Sequence, residues 1–384
     1  MTRGALNDRQ CRDRIDALRS RIVADTVEVI ADDELDSVLR AIGPREELTR
    51  GGLTQRGEHK QVIALARLDG EEVFPGYSWR EMRDGGREAR MRGVLCQTAI
   101  EIQSVVGCPF DCTYCPYSTF ICARVDIERF ADRVARLTAE LSGQELFKLN
   151  NRSDTLGLEP ELGLAPLLVE RFAELDGKYL MLYSKGENVK ALLDLEHRKK
   201  TIACFTLTPA RIAELLEPGA PPTSARIAAI KQLAKAGYPI RVRLSPIVPL
   251  LDWHNLYNDL IRDLIAASEP ELITLWALSM IDVENLDNIV PLEEIDPRIL
   301  SDAQQAAMTM RGKKGAPFPP ATRASIYRDV AAMIHDHSPR TRVALCLETP
   351  EVWESTGDLI VSHSKKRFIC NCGPNATPGA VACG

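Results

Sequence analysis

The chain has 384 residues, 45% hydrophobic and 27% charged, with a net charge of −6 and a pI of about 5.7. That length accommodates one large α/β barrel with appendages or two modest domains, and no apolar run approaches the roughly 18 residues needed to span a bilayer. The acidic balance points away from nucleic acid, whose binders carry a basic surplus for phosphate contacts, and towards a small molecule or a protein partner.

The stretch Met1 to Arg9 lacks the apolar core of a signal peptide, so the expected location is cytoplasmic. Residues 9–43 read as helices, with an apolar stripe through Leu18, Ile22, Val27 and Ile30, then Leu35, Val38 and Leu39. Residues 44–60 are polar and Gly-rich, as a linker or loop would be. Residues 62–95 are mixed, and 1–97 as a whole read as a helical N-terminal elaboration.

From about residue 98, short apolar strands alternate with helical stretches. Candidate strands are Ala99–Val105, Leu146–Leu149, Tyr179–Tyr183, Thr201–Leu207, Ile240–Ser245 and Leu272–Trp276. Ile127–Leu141 and Ser224–Ala236 have helical spacing, with Asp126 and Thr223 or Ser224 as N-caps and Gly237 as a stop. Such alternation predicts an α/β fold with a parallel sheet, an open or partial TIM-type (β/α)6 barrel whose chemistry sits at the C-terminal strand ends. The barrel spans 98–285. Residues 286–348 are a C-terminal part packing on it, with an irregular stretch 286–325, a helix 323–336 and a short strand Val343–Leu347. Residues 349–384 form a Cys-containing tail.

Eleven cysteines punctuate the chain. In a cytosolic protein they point to metal or cluster ligation where tightly spaced, and to small buried hydrophobes where isolated, as at 11, 96, 122 and 204. Cys108, Cys112 and Cys115 have the spacing Cys-x3-Cys-x2-Cys just after the first barrel strand. Thiolates are soft ligands suited to Fe–S clusters and zinc. Structural zinc takes four ligands, commonly in Cys-x2-Cys pairs, so a three-cysteine loop is a poor zinc pattern. On a [4Fe–4S] cluster it leaves one iron open.

This spacing is the motif of the radical SAM superfamily, in which the open iron chelates S-adenosylmethionine and electron transfer releases a 5′-deoxyadenosyl radical. Within that superfamily, residues 98–280 resemble the spore photoproduct lyase branch. The resemblance is strongest in Leu182-Tyr183-Ser184-Lys185 with Val189–Asp194, and in Leu216–Pro222 through Ala234–Pro239 to Ser245-Pro246-Ile247. It implies that Tyr114 lies against the adenine, that Ser153, Asp154 and Lys185 contact SAM, and that Thr206 contacts the ribose. It implies an external one-electron donor of flavodoxin or ferredoxin type. Spore photoproduct lyases carry a hydrogen-donating cysteine beside the Ser-Asp pair, and here Asn150, Asn151 and Arg152 precede it.

Cys370, Cys372 and Cys383, with Cys346 on the last strand, read as a second four-thiolate set for an auxiliary [4Fe–4S] cluster, a structural zinc, or no metal at all. The chain also resembles the radical SAM diol dehydratases of aminoglycoside biosynthesis, of the apramycin-pathway type. That likeness implies dehydration of a vicinal diol in a paromamine-like sugar. Asp252, His254 and Glu348 are the candidate general acids or bases for loss of hydroxide.

Overall fold

The computed structural model describes residues 1–41, 63–67, 93–95, 100–115, 121–150, 152–357, 360 and 371–380. Ten strands run in chain order: β1 (Ile63–Ala66), β2 (Ile100–Ile102), β3 (Val105–Val106), β4 (Ile121–Arg124), β5 (Leu146–Leu149), β6 (Tyr179–Ser184), β7 (Thr201–Leu207), β8 (Ile240–Ile247), β9 (Leu272–Ala277) and β10 (Arg342–Leu345). Seven of them form one parallel sheet in the order β10-β9-β8-β7-β6-β5-β2. Each strand lies beside its predecessor, without the reversal of a doubly wound sheet. Among the described residues β2 does not pair with β10, so the barrel is open.

The strands read as near-continuous apolar runs because both faces are covered. All seven residues of Thr201–Leu207 are buried. Helices Leu164–Ala173, Thr223–Lys235, Trp253–Ala267 and Pro320–His337 cover the outside and bury Phe172, Leu233, Tyr257 and Val330 in the main core.

Several expectations change. The single predicted strand 99–105 is divided into β2 and β3, and β3 belongs with β1 and β4 to a separate three-stranded sheet. The short strand at 343–347 is β10, a seventh strand of the main sheet rather than part of an appendage. Residues 9–43 are not helical throughout: helices Arg9–Arg19 and Leu35–Ala41 flank an irregular stretch in which Val27 is exposed and Ile30 bridges to Thr2. The stretch 286–325 contains helix Pro297–Gln305, started by Pro at its first turn with Asp296 as cap.

At Ile127–Glu140, Asp126 stands in the N-cap position but turns its carboxylate to buried Arg124 instead, 2.9 Å away. Helix Thr223–Lys235 begins after Pro222, so Thr223 is its first residue. Gly237 takes a φ of +92° and ends it, as expected of a left-handed C-terminal residue. Cys11, Cys122 and Cys204 are buried, as read from the sequence, whereas Cys96 and the 44–60 linker lie outside the described residues.

Candidate active site

The cysteine loop starts where β3 ends. Gly107 has a φ of +89° and donates its N–H to the Arg152 carbonyl, turning the chain across the C-terminal end of β5. Cys115 N–H then closes a turn on the Cys112 carbonyl at 3.0 Å, and Thr113 N–H bonds the Leu216 carbonyl at 2.8 Å. Two glycines let neighbouring chain close on the loop. A Cβ on Gly219 would meet Asp111 N at 2.8 Å, and one on Gly157 would meet Pro109 Cγ at 2.7 Å. The loop is thus bonded to the Arg152 and Leu216 carbonyls and closely flanked by Gly157 and Gly219.

Cys112 is buried, while Cys108 and Cys115 are half-buried. Burial pushes the Cys108 thiol well up, and Asp154 and the other two cysteines push the same way. Burial lifts Cys112 to about 12, with Lys185 opposing. Among the described residues no three Cys, His, Asp or Glu side chains converge on one metal ion, these three thiols included.

Beside the thiols lies a polar wall. Tyr114 donates its hydroxyl to Glu217, and Lys185 Nζ sits 3.3 Å from Glu217 Oε1 and 5.6 Å from the Tyr114 ring. Buried Arg226 reaches Glu217 Oε2 at 2.6 Å. Burial would raise the Glu217 carboxyl, but Lys185, Arg226 and the Tyr114 hydroxyl outweigh it and hold Glu217 below the usual range. Glu217 was not singled out from the sequence, because its partners come from three separate segments. The Leu216–Gly219 stretch that carried the family resemblance was the available signal.

Asp154 is brought to the same region, but its oxygens are used within the protein. Oδ1 accepts from Ser184 Oγ at 2.6 Å and Leu156 N at 2.9 Å, and Oδ2 accepts from Lys185 N at 2.6 Å. A Cβ on Gly186 would press to 2.7 Å from Leu156 Cβ and 3.2 Å from Asp154 Oδ1, so glycine lets this turn close. Asp154 therefore fixes the turn that aims Lys185. Ser153 Oγ is buried without a partner among the described residues, a hydroxyl suited to a ligand. Thr206 lies buried in β7, in register with Arg243 of β8.

The remaining candidates lie elsewhere. Asp252, at φ +61°, accepts from Asn255, and half-exposed His254 faces Asp329 at 3.3 Å. Glu348 is buried in a two-pronged pair with Arg323 at 2.9 Å and takes the Tyr327 hydroxyl, so its oxygens are committed to the fold. Cys346 lies 3.8 Å from Arg243, and the electrostatics of Cys346 include Cys372. Cys370 and Cys383 lie outside the described residues.

An open parallel sheet with three thiols on a loop across its C-terminal strand ends makes this an α/β protein with a radical SAM-type fold. Residues 97–282 match the model of the spore photoproduct lyase family. Over 173 residues the chain is 29% identical to spore photoproduct lyase from Bacillus subtilis (strain 168), covering 43% of this chain and 51% of that protein. It is 25% identical over 170 residues to the enzyme of the same name from Geobacillus sp. (strain Y412MC61), covering 42% and 50%. The chain thus spans about half the length of the curated relatives it matches. A solved spore photoproduct lyase mutant with bound AdoMet and dinucleoside spore photoproduct superposes with a TM-score of 0.65 at 16% identity, over 89% of this chain and 96% of that one. A second structure, complexed with dinucleoside spore photoproduct, gives the same TM-score and identity over 90% and 97%. No helix among the described residues is long and apolar enough to cross a membrane.

Proposed function

We propose that this protein is a radical SAM lyase that holds a [4Fe–4S] cluster on Cys108, Cys112 and Cys115. The observation that carries the reading is the loop itself, three thiols on a segment bonded to Leu216 and flanked by Gly157 and Gly219, beside the Tyr114–Lys185–Glu217 wall. When bound, the cluster supplies the electron that cleaves S-adenosylmethionine to a 5′-deoxyadenosyl radical. Lys185 offers its ammonium to the SAM carboxylate, Tyr114 a ring to the adenine, and Ser153 an unused hydroxyl. An external flavodoxin- or ferredoxin-type donor delivers the electron.

The comparisons support a dinucleoside lesion in DNA as substrate better than an aminoglycoside. The second reading, dehydration of a vicinal diol in a paromamine-like sugar, is favoured by one observation. The resemblance calls for a hydrogen-donating cysteine just before Ser153, where this chain has Asn150, Asn151 and Arg152, and of these Asn150 holds a φ of +51° and uses its side-chain oxygen to tie down Ser104 and Val105. The deciding experiment is anaerobic reconstitution with iron and sulfide, then incubation with SAM, dithionite and each substrate in turn. 5′-Deoxyadenosine with repaired dinucleoside supports lesion repair, and 5′-deoxyadenosine with dehydrated sugar supports the second reading. No 5′-deoxyadenosine from reconstituted protein overturns both. Iron near four or near eight per chain separates one cluster from two, the second drawing on Cys346, Cys370, Cys372 and Cys383.

A further inference from the structure

Alternation along each strand sends every second side chain away from the covering helices. Phe147 of β5 packs edge-on against Phe172 of helix Leu164–Ala173, ring centroids 6.0 Å apart, so Lys148 points to the opposite, inner face. Glu101 of β2 is in register with Lys148, and their charged groups are 3.2 Å apart. Arg243 of β8 joins them around one ring: its guanidinium is 4.9 Å from Tyr183, and Lys148 Nζ is 5.4 Å from the same ring. Trp276 lies on another side of Arg243 at 5.5 Å.

Two of these groups have unused capacity. Glu101 is 7% exposed, and its Oε2 has no hydrogen-bond partner among the described residues. Arg243 makes no ion pair with a carboxylate among the described residues, and its one side-chain hydrogen bond there is to Cys346 Sγ. A guanidinium keeps its charge and its five donors when buried, and such a group is costly unless something completes it. The cysteine loop stands at the C-terminal strand ends. The tail 371–380 binds the opposite ends, through Glu145, Leu146 and Arg241. The Glu101–Lys148–Arg243 group lies between these two ends.

We propose that Glu101, Lys148 and Arg243 form the oxygen-binding subsite for the substrate inside the barrel. Arg243 grips two neighbouring substrate oxygens with its planar fork, and Glu101 Oε2 accepts a substrate hydroxyl. Tyr183 and Trp276 fix the plane of the fork. The oxygens belong to a phosphodiester in a dinucleoside or to a vicinal diol in a sugar. The subsite rests on the radical SAM reading but is separable from it, since SAM binds at the thiol loop.

The test measures anaerobic binding of dinucleoside spore photoproduct and of paromamine, separately, to reconstituted protein carrying Arg243→Met, Arg243→Lys or Glu101→Gln. Whichever compound wild type binds should lose at least tenfold in affinity with Arg243→Met and severalfold with Glu101→Gln. Arg243→Lys keeps the charge but not the fork, and should bind between wild type and Arg243→Met. It also covers the case in which Arg243→Met fails to fold. The SAM-induced change in the reduced-cluster EPR spectrum should persist in all three. Unchanged affinity in folded variants, or a wild type that binds neither compound, overturns the subsite. Absence of the EPR change in wild type overturns the radical SAM reading instead.

Discussion

Lys185 and Glu217 meet at 3.3 Å beside the cysteine loop, joining the end of β6 to the segment that follows helix Ala210–Leu216. Glu217 is 2% exposed and also serves Arg226 and Tyr114. It sets the position of the ammonium proposed to meet SAM and of the ring proposed to meet the adenine.

Replacing Glu217 by Gln leaves two buried cations without their anion, and a broken buried pair typically costs about 3–5 kcal/mol. Urea denaturation should show a loss of that order at pH 7. The Glu217 carboxyl is held below its ordinary range, so the folded state keeps it ionised where the unfolded chain has begun to protonate it. Its contribution is complete above the ordinary glutamate pKa of about 4.3. It fades as pH falls through the lower folded value. The gap between wild type and Glu217→Gln should therefore narrow in acid, and a gap that is flat or widens there would contradict the assignment.

Gly219→Ala and Gly157→Ala each press a methyl onto the cysteine loop, at Asp111 N and Pro109 Cγ. Both glycines touch the loop rather than the sheet, so the expected damage is to cluster retention. Iron per chain after reconstitution should drop by half or more, with a thermal midpoint within a few degrees of wild type. A surface control such as Glu196→Gln should change neither.

The sheet was legible in the sequence because parallel strands buried on both faces are written as unbroken apolar runs. Thr201–Leu207 and Leu146–Leu149 have the bounds read from residue pattern alone. The small sheet was not legible, since β3 has two residues and β1 pairs with β4 across more than fifty intervening positions. In the site, local spacing was enough to read the three thiols. Asp154 and Glu348 read as ligand-facing carboxylates in the sequence, where nothing shows that Ser184, Leu156 and Lys185 hydrogen-bond the one and Arg323 and Tyr327 the other. Glu101 went unnoticed because a single acidic residue in an apolar strand gives no sign of its partner until β2 and β5 are paired.

Glu348→Gln tests that distinction. Glu348 takes both prongs of Arg323 and the Tyr327 hydroxyl, all buried. The amide should cost about 3–5 kcal/mol by stranding the guanidinium, whereas His254→Ala, at an exposed pair, should stay within about 1 kcal/mol of wild type. Denaturant midpoints for the two variants measure both.

Glu159 offers a prediction away from the site. Its Oε1 accepts N–H groups from Leu164 and Ala165 at 2.9 Å and its Oε2 accepts from Gly163 at 2.8 Å, closing the N-terminus of helix Leu164–Ala173. Glu159→Ala orphans two buried donors and a half-buried one, and with about 1 kcal/mol or more for each buried donor the expected loss is about 2–3 kcal/mol. Amide exchange should accelerate first at residues 163–165.

Arg241 ties the C-terminal tail to the barrel. Its side chain is fully buried, pairs with Glu271 at 2.6 Å, and donates to the carbonyls of Asn371 at 2.7 Å and Thr377 at 3.0 Å. Glu271 in turn accepts from Gly379 N, and the Pro374 carbonyl takes both Glu145 N and Leu146 N. A single guanidinium thus neutralises one carboxylate and satisfies two tail carbonyls that would otherwise be buried without donors. Arg241→Met keeps much of the side-chain volume and removes all of these bonds. It should release residues 371–380, seen as rapid amide exchange and new protease cleavage confined to that segment, while β8 itself stays protected by its neighbours β7 and β9. Asn371 also donates to Cys204 Sγ at 3.1 Å, so the buried Cys204 thiol should become reactive to a small alkylating reagent once the tail is free. An intact, protected tail in the folded Arg241→Met protein would show that Pro374 and its two amides hold it unaided.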